Sequence, residues 1–99
     1  MSVESVFVCS TAHIRRETSD RLSAQVGSPS PALVVYPRGL FGWLIYVPPA
    51  TMDADRVTGM LDGAPTELVG LLWIARWHKC SWLLLDRDGD VYDLPTWDW

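Results

Sequence analysis

The chain has 99 residues, of which 48% are hydrophobic and 20% are charged, and its formal net charge at pH 7 is −4. This length suits one domain spanning residues 1–99, with a core large enough to fold without disulfides or metals. The negative charge makes nucleic-acid binding an unfavoured function, because such proteins normally present a basic patch, and it is too small for a protein that imitates DNA.

The sequence shows neither the features of a secreted protein nor those of a membrane protein. Two cysteines, Cys9 and Cys80, provide no disulfide framework. The N-terminal residues lack the basic and apolar regions of a secretory signal, and no apolar stretch approaches the ~20 residues that cross a bilayer. We therefore expect a cytoplasmic protein with reduced thiols and no membrane association.

The first third predicts a strand followed by a helix. Residues 3–9 are rich in β-branched and aromatic side chains, which favours a strand. Ser10 or Thr11 can then cap a helix over residues 14–26, whose apolar side chains form one sparse stripe. Gly27 is a typical residue for ending that helix.

The middle of the chain predicts a hairpin. Strands are expected over residues 32–36 and 40–47, joined by a turn at residues 37–39. The pattern of residues 50–65 does not indicate one definite secondary structure. A helical turn over residues 52–57 is the candidate there. A connection of this length has a function or contains a short helix.

The last third predicts a second helix and two further strands. Thr66 is a candidate cap for a helix over residues 68–79, whose wide apolar arc indicates burial on more than one side. Residues 82–85 predict a buried strand. Asp88 and Gly89 form a hairpin signal, and a short strand at residues 91–92 is expected after it.

The resulting order of elements predicts an α+β fold. The order βαββαβ is that of the ferredoxin-like fold, with one strand added by the C-terminal hairpin. Both helices are then expected on one face of an antiparallel sheet, and the strand at residues 82–85 should run antiparallel to the first strand.

Four side chains are candidates for metal binding or nucleophilic chemistry. Cys9, His13, His78 and Cys80 supply two thiolates and two imidazoles, a set that binds zinc when it is arranged tetrahedrally. Their spacings are not those of common structural zinc sites. Cys9 and His13 also suggest an activated thiol, although no orienting third residue or oxyanion motif accompanies them. The alternative is a buried Cys9, a capping His13 and a surface His78.

Aromatic and acidic residues concentrate near the C-terminus. Five of the six tryptophans occur in the last 27 positions, and aspartates alternate through the expected hairpin without the spacing of a calcium loop. The terminal tryptophans either fold back onto the domain or bind a partner. The candidate partner-binding residues are Trp43, Asp88, Asp90, Trp97, Asp98 and Trp99.

Three stretches together resemble a known family. They are residues 10–14 (STAHI), residues 36–48 (YPRGLFGWLIYVP) and residues 80–99, which contain CSWLLLDRDG and LPTWDW. The combination resembles an uncharacterised bacterial domain family carried on plasmids and other mobile elements. The resemblance implies a small accessory protein of a mobile element, and it implies no catalytic residue and no cofactor.

The leading hypothesis is a non-enzymatic protein-binding module. Its partner would be a host or phage protein complex, and its sharpest form is an anti-CRISPR-like inhibitor of host defence that blocks a surface sterically. The alternative is a small metal-binding or thiol-dependent enzyme that uses Cys9, His13, His78 and Cys80. Short edge strands also leave open a homodimer formed by strand pairing.

Overall fold

The computed structural model describes residues 4–25, 34–37, 42–49 and 51–97. Within these residues the chain is α+β, with a mixed four-stranded sheet and three α-helices. The strands are β1 (Val6–Ser10), β2 (Val35–Pro37), β3 (Gly42–Tyr46) and β4 (Trp82–Asp86). The helices are α1 (Arg16–Gln25), α2 (Ala54–Met60) and α3 (Thr66–Trp77), and a 3₁₀ turn, Thr11–His13, precedes α1.

The sheet has the strand order β1-β4-β3-β2. β1 and β4 are parallel, with Val6 beside Trp82 and Ser10 beside Asp86, whereas β3 is antiparallel to both β4 and β2. This arrangement corrects the prediction of an antiparallel sheet in which β4 runs against β1. The physical reason lies in β4, whose consecutive residues Leu83, Leu84 and Leu85 suit a central strand that has neighbours on both sides.

The chain after β4 does not form the strand predicted at residues 91–92. Residues 87–97, here called the C-terminal segment, follow the outer edge of β1 without forming a strand. The Ser10 N–H donates to the Asp90 carbonyl at 2.8 Å, and the Tyr92 hydroxyl donates to the Val8 carbonyl at 2.8 Å. This segment therefore covers part of an edge that would otherwise present unpaired backbone groups.

One face of the sheet is buried on the side of the helices, where α3 lies against β4, α1 lies against β2, and α2 adds Val57 to the same core. Strand side chains alternate between faces, and Cys9, Leu83 and Ile45 share the face that the helices cover. The sequence predicted two helices on this face, and α2 is the third, formed where only a helical turn was expected. The buried hydrophobic residues are Cys9, Ile14, Leu22, Val35, Ile45, Val47, Val57, Leu61, Leu68, Leu71, Leu72, Ala75, Leu83 and Leu85.

A carboxylate joins the two longest helices. Glu67, in the first turn of α3, accepts the Arg15 N–H at 3.0 Å and the Thr18 hydroxyl at 2.8 Å. Arg15 immediately precedes α1, so a side chain of α3 satisfies an N–H group at the start of α1 and places a negative charge near the positive end of its dipole. In the described part of the chain, no helix has the length and apolar character needed to cross a membrane.

Candidate functional site

The second face of the sheet, here called the open face, carries apolar and aromatic side chains opposite the helices. The register places them in two rows that cross the strands. Tyr36 is 53% exposed and Val6 is 44% exposed, although both belong to strands. The first row is Val6, Trp82 and Tyr46, and the second is Val8, Leu84, Leu44 and Tyr36.

Three aromatic rings form the centre of the open face. Tyr46 meets Trp82 edge-on, with ring centroids 5.2 Å apart and an interplanar angle of 77°. The Tyr36 ring lies 6.2 Å from the Trp82 ring. The Trp82 indole N–H donates to the Glu4 carboxylate at 2.8 Å, which fixes the orientation of the ring. Ordered aromatic side chains of this kind provide contact area with little conformational entropy left to lose on binding.

The net negative charge of the chain comes from its last fourteen residues. Residues 1–85 contain seven acidic and seven basic side chains, whereas residues 86–99 contain five aspartates and one arginine. The exposed side chains Asp88, Asp90 and Asp93 lie on the C-terminal segment, which follows the outer edge of β1. Tyr92 of this segment packs against Phe7 and His13, with ring centroids 5.4 Å and 6.1 Å away, so the segment lies along the sheet edge toward the helix-covered side. The negative charge is therefore concentrated at this edge of the domain.

The predicted partner-binding residues have different positions. Asp88 and Asp90 are exposed, but Trp43 packs against the core on the helix-covered face. Trp97 folds back onto the residues just before α1. Its backbone N–H donates to the Ala12 carbonyl at 2.9 Å, and the Arg15 guanidinium lies 5.0 Å from the centroid of its ring. The remaining two candidates, Asp98 and Trp99, lie outside the residues that the structure describes.

His13 holds the C-terminal segment in place. Its buried imidazole lies with Nδ1 3.0 Å from the Pro95 carbonyl oxygen, and Nε2 accepts the Tyr92 N–H at 2.9 Å. A carbonyl can only accept, so Nδ1 carries the proton and the ring is neutral. Both nitrogens are thereby used by the main chain. The sequence contains no local signal for this role, because the partners lie about 80 residues away.

Cys9 is not an activated nucleophile in this structure. Its side chain is fully buried, and burial raises the pKa of the thiol from 9.0 to about 12. At neutral pH the group is therefore the unreactive thiol rather than the thiolate. Because backbone groups occupy both nitrogens of His13, the predicted Cys9–His13 catalytic pair does not form.

The four candidate zinc ligands do not converge. Across the described ranges, no three or more His, Cys, Asp or Glu side chains cluster as a metal site would require. His78 is exposed at the end of α3, with its ring 6.4 Å from that of Phe7. The Cys80 sulfur lies 3.9 Å from the His78 carbonyl and is half-buried. The structure therefore does not bring the four candidate ligands together, because each of these side chains has different neighbours.

Comparisons with known proteins give a family and no function. A family model described as the C-terminal domain of a family of unknown function, DUF5983, matches residues 6–99. No curated protein and no solved structure matches the chain.

Proposed function

The chain belongs to the DUF5983 family of unknown function, and we propose that it is a non-enzymatic protein-binding module whose open face contacts the partner. The observation that carries this proposal is the pair of apolar rows on the open face, in which Tyr36, Trp82 and Tyr46 form an ordered aromatic centre. Apolar patches of this kind mark interaction sites in folded proteins, and aromatic residues dominate their energetics.

The charge distribution indicates the chemistry of the partner. The acidic C-terminal segment follows one edge of the sheet, and carboxylates favour lysine and arginine across an interface. The partner is therefore a protein with an apolar patch that is bordered by basic side chains. A second copy of this chain fits less well, because it would add an equally acidic segment to the same interface.

The specific biological form of the proposal is an inhibitor that blocks a surface on a host or phage protein complex. Its support is the resemblance of residues 10–14, 36–48 and 80–99 to a family of mobile-element domains. Steric blocking requires a stable surface and no catalytic group. The open face offers such a surface, and Cys9 and His13 are both used in holding the fold together.

The test compares two changes to exposed apolar side chains. The variant Val6→Ser with Tyr36→Ser removes apolar area from both edge strands of the open face. Trp77→Ser is the matched control, because Trp77 is 84% exposed on α3, away from that face. Each tagged protein is used to capture partners from a bacterial host, and the affinity for the purified partner is then measured at two salt concentrations.

We expect a protein that binds the unmodified chain and the Trp77→Ser variant equally. Its affinity should fall at least ~10-fold for the open-face variant, the size of effect expected for interface aromatics. Binding should also weaken with salt, since the C-terminal segment is acidic. Four outcomes would contradict the proposal. The open-face variant could bind as well as the unmodified chain, or only Trp77→Ser could lose binding. The chain could form a homodimer that the open-face changes dissociate, or it could retain nucleic acid instead of a protein.

A further inference from the structure

We propose that a cavity at the C-terminal end of α3 binds an oxyanion, a small ligand or chemical group that presents a phosphate or a carboxylate. The cavity has a volume of about 160 Å³ and lies between the end of α3 and the end of β3. The residues that line it include Arg76, Lys79, Tyr46, Cys80 and Ser81. This binding site is distinct from the open face, although Tyr46 borders both.

Among the residues that the structure describes, two cations line this cavity and no carboxylate does. Among the described residues the ion pair is Arg15 with Glu67, so neither Arg76 nor Lys79 has an acidic partner there. This is unusual for a chain with an excess of acidic side chains. The partial negative charge at the C-terminal end of α3 offsets these two cations only in part, because it amounts to about half an elementary charge. The positive charge that remains in a concave site attracts and concentrates anions.

The Arg76 guanidinium is held in place with part of its hydrogen-bonding capacity unused. One terminal nitrogen donates to the Met52 carbonyl at 2.7 Å, and the group lies 5.2 Å from the centroid of the Trp73 ring. The Nε atom is buried and has no hydrogen-bond partner among the described residues. A positioned guanidinium suits an oxyanion, because its planar donors match two oxygen acceptors.

The backbone presents Lys79 in a conformation that glycine would adopt more easily. Lys79 has φ 59° and follows α3 in the position where helices commonly have glycine. The Cys80 N–H donates to the Ala75 carbonyl and the Lys79 N–H to the Arg76 carbonyl, both at 2.9 Å. These bonds satisfy carbonyls that would otherwise repel an anion. A lysine here costs conformational energy, which fits a functional role for its charge.

The site also has a neutral donor. Ser81 lines the cavity, and its hydroxyl is a neutral donor of the kind that can complement the two cations. The size of the cavity suits a phosphate or a carboxylate with one or two waters, rather than a nucleotide or other extended ligand.

The test removes the lysine charge without weakening the turn. Lys79→Gly supplies the residue that the left-handed conformation favours, so this variant should melt at or above the temperature of the unmodified protein. Lys79→Arg keeps the charge, and Arg16→Ala removes an exposed charge at the start of α1 as the matched control. Inorganic phosphate and acetate are titrated separately at constant ionic strength against chloride, and amide chemical shifts are followed by NMR.

We expect saturable shifts at Lys79, Cys80 and Ser81 with at least one of the two anions. Affinity should fall about tenfold in Lys79→Gly, as expected for losing one charge-assisted hydrogen bond, and should change little in the other two variants. Preference for phosphate identifies a phosphoryl ligand, and preference for acetate identifies a carboxylate. Non-saturable shifts, or a Lys79→Gly variant that binds like the unmodified protein, would overturn the proposal. Neither result bears on partner binding at the open face.

Discussion

Cys9 lies near the end of β1 and points toward the helices, in a position where burial raises the pKa of its thiol to about 12. The second cysteine, Cys80, is half-buried after α3. The two thiols therefore differ in their access to solvent. The reactivity of each thiol is therefore set by its neighbours in space, and its position in the sequence does not identify them.

We predict that a thiol reagent modifies Cys80 in the folded protein at pH 8 and leaves Cys9 unmodified. The reason is that the thiolate is the nucleophile, and Cys9 is both protonated and inaccessible at that pH. Counting modified thiols by mass spectrometry, before and after denaturation, checks this. Rapid native modification of Cys9 in a Cys80→Ser variant would contradict it.

Gly89 illustrates a residue that packing requires to be small. A Cβ atom at this position would lie 2.7 Å from the backbone carbon and oxygen of Cys9 and 3.1 Å from the Asp86 carbonyl oxygen. These neighbours are main-chain atoms in or beside the sheet, so they cannot move aside as a flexible side chain would.

The expected effect of Gly89→Ala is a loss of about 1–3 kcal/mol in the free energy of unfolding, the usual size of an overpacking penalty. Gly70→Ala is the matched control, because that helix position has no atom within 4 Å of a new Cβ. The control should gain up to about 1 kcal/mol from helix propensity. Urea denaturation measures both, and equal effects in the two variants would contradict the packing argument.

At the scale of an element, the C-terminal segment depends on His13. The imidazole gives this segment two of its hydrogen bonds, to Tyr92 and Pro95, and backbone bonds to Ser10 and Ala12 hold its two ends. The segment has few buried side chains of its own, so removal of this anchor should act locally before it acts on the whole domain.

We predict that His13→Ala speeds backbone hydrogen exchange in residues 90–97 by more than tenfold, while the amides of α3 stay protected. Without the ring, the Tyr92 N–H has no acceptor and the bond to Pro95 is lost, a cost of about 1–3 kcal/mol. Hydrogen exchange with mass spectrometry resolves the two regions. Unchanged exchange in the segment would show that other contacts hold it.

At the scale of the whole molecule, the helices cover only one face of the sheet. β4 lies between β1 and β3, and its successive leucines face opposite sides of the sheet. Leu83 is fully buried beneath the helices, whereas Leu84 is half-buried on the open face. Substitutions at these two adjacent leucines therefore compare the stability contributions of the two faces.

Leu83→Ala is expected to cost about 2–5 kcal/mol, the range for truncation of a buried leucine. Leu84→Ala should cost less than half as much, because its side chain is still partly in contact with solvent. Chemical denaturation gives both values under the same conditions. If the two substitutions were equally destabilising, the open face would have to be covered in the folded protein, and the binding proposal would lose its surface.

Much of the local structure was predictable from the sequence. The helix expected over residues 68–79 forms as Thr66–Trp77, and the strand expected over residues 82–85 forms as Trp82–Asp86. The α+β class was likewise predicted. These features follow from side-chain periodicity, which acts over a few positions and is visible in any short window of sequence. The predicted cap Thr66 is instead the first residue of the helix, after Pro65, and no side chain caps this helix start.

The strand order, the open face and the two candidate binding sites were decided only by the tertiary structure. The alternating pattern of β1 is satisfied equally by a parallel or an antiparallel neighbour, so the position of β4 depends on how the whole chain buries its apolar surface. Likewise, His13 meets Tyr92, and Arg76 and Lys79 meet Tyr46, only after distant elements pack. Local chemistry determined the elements, and long-range packing determined which side chains they bring together.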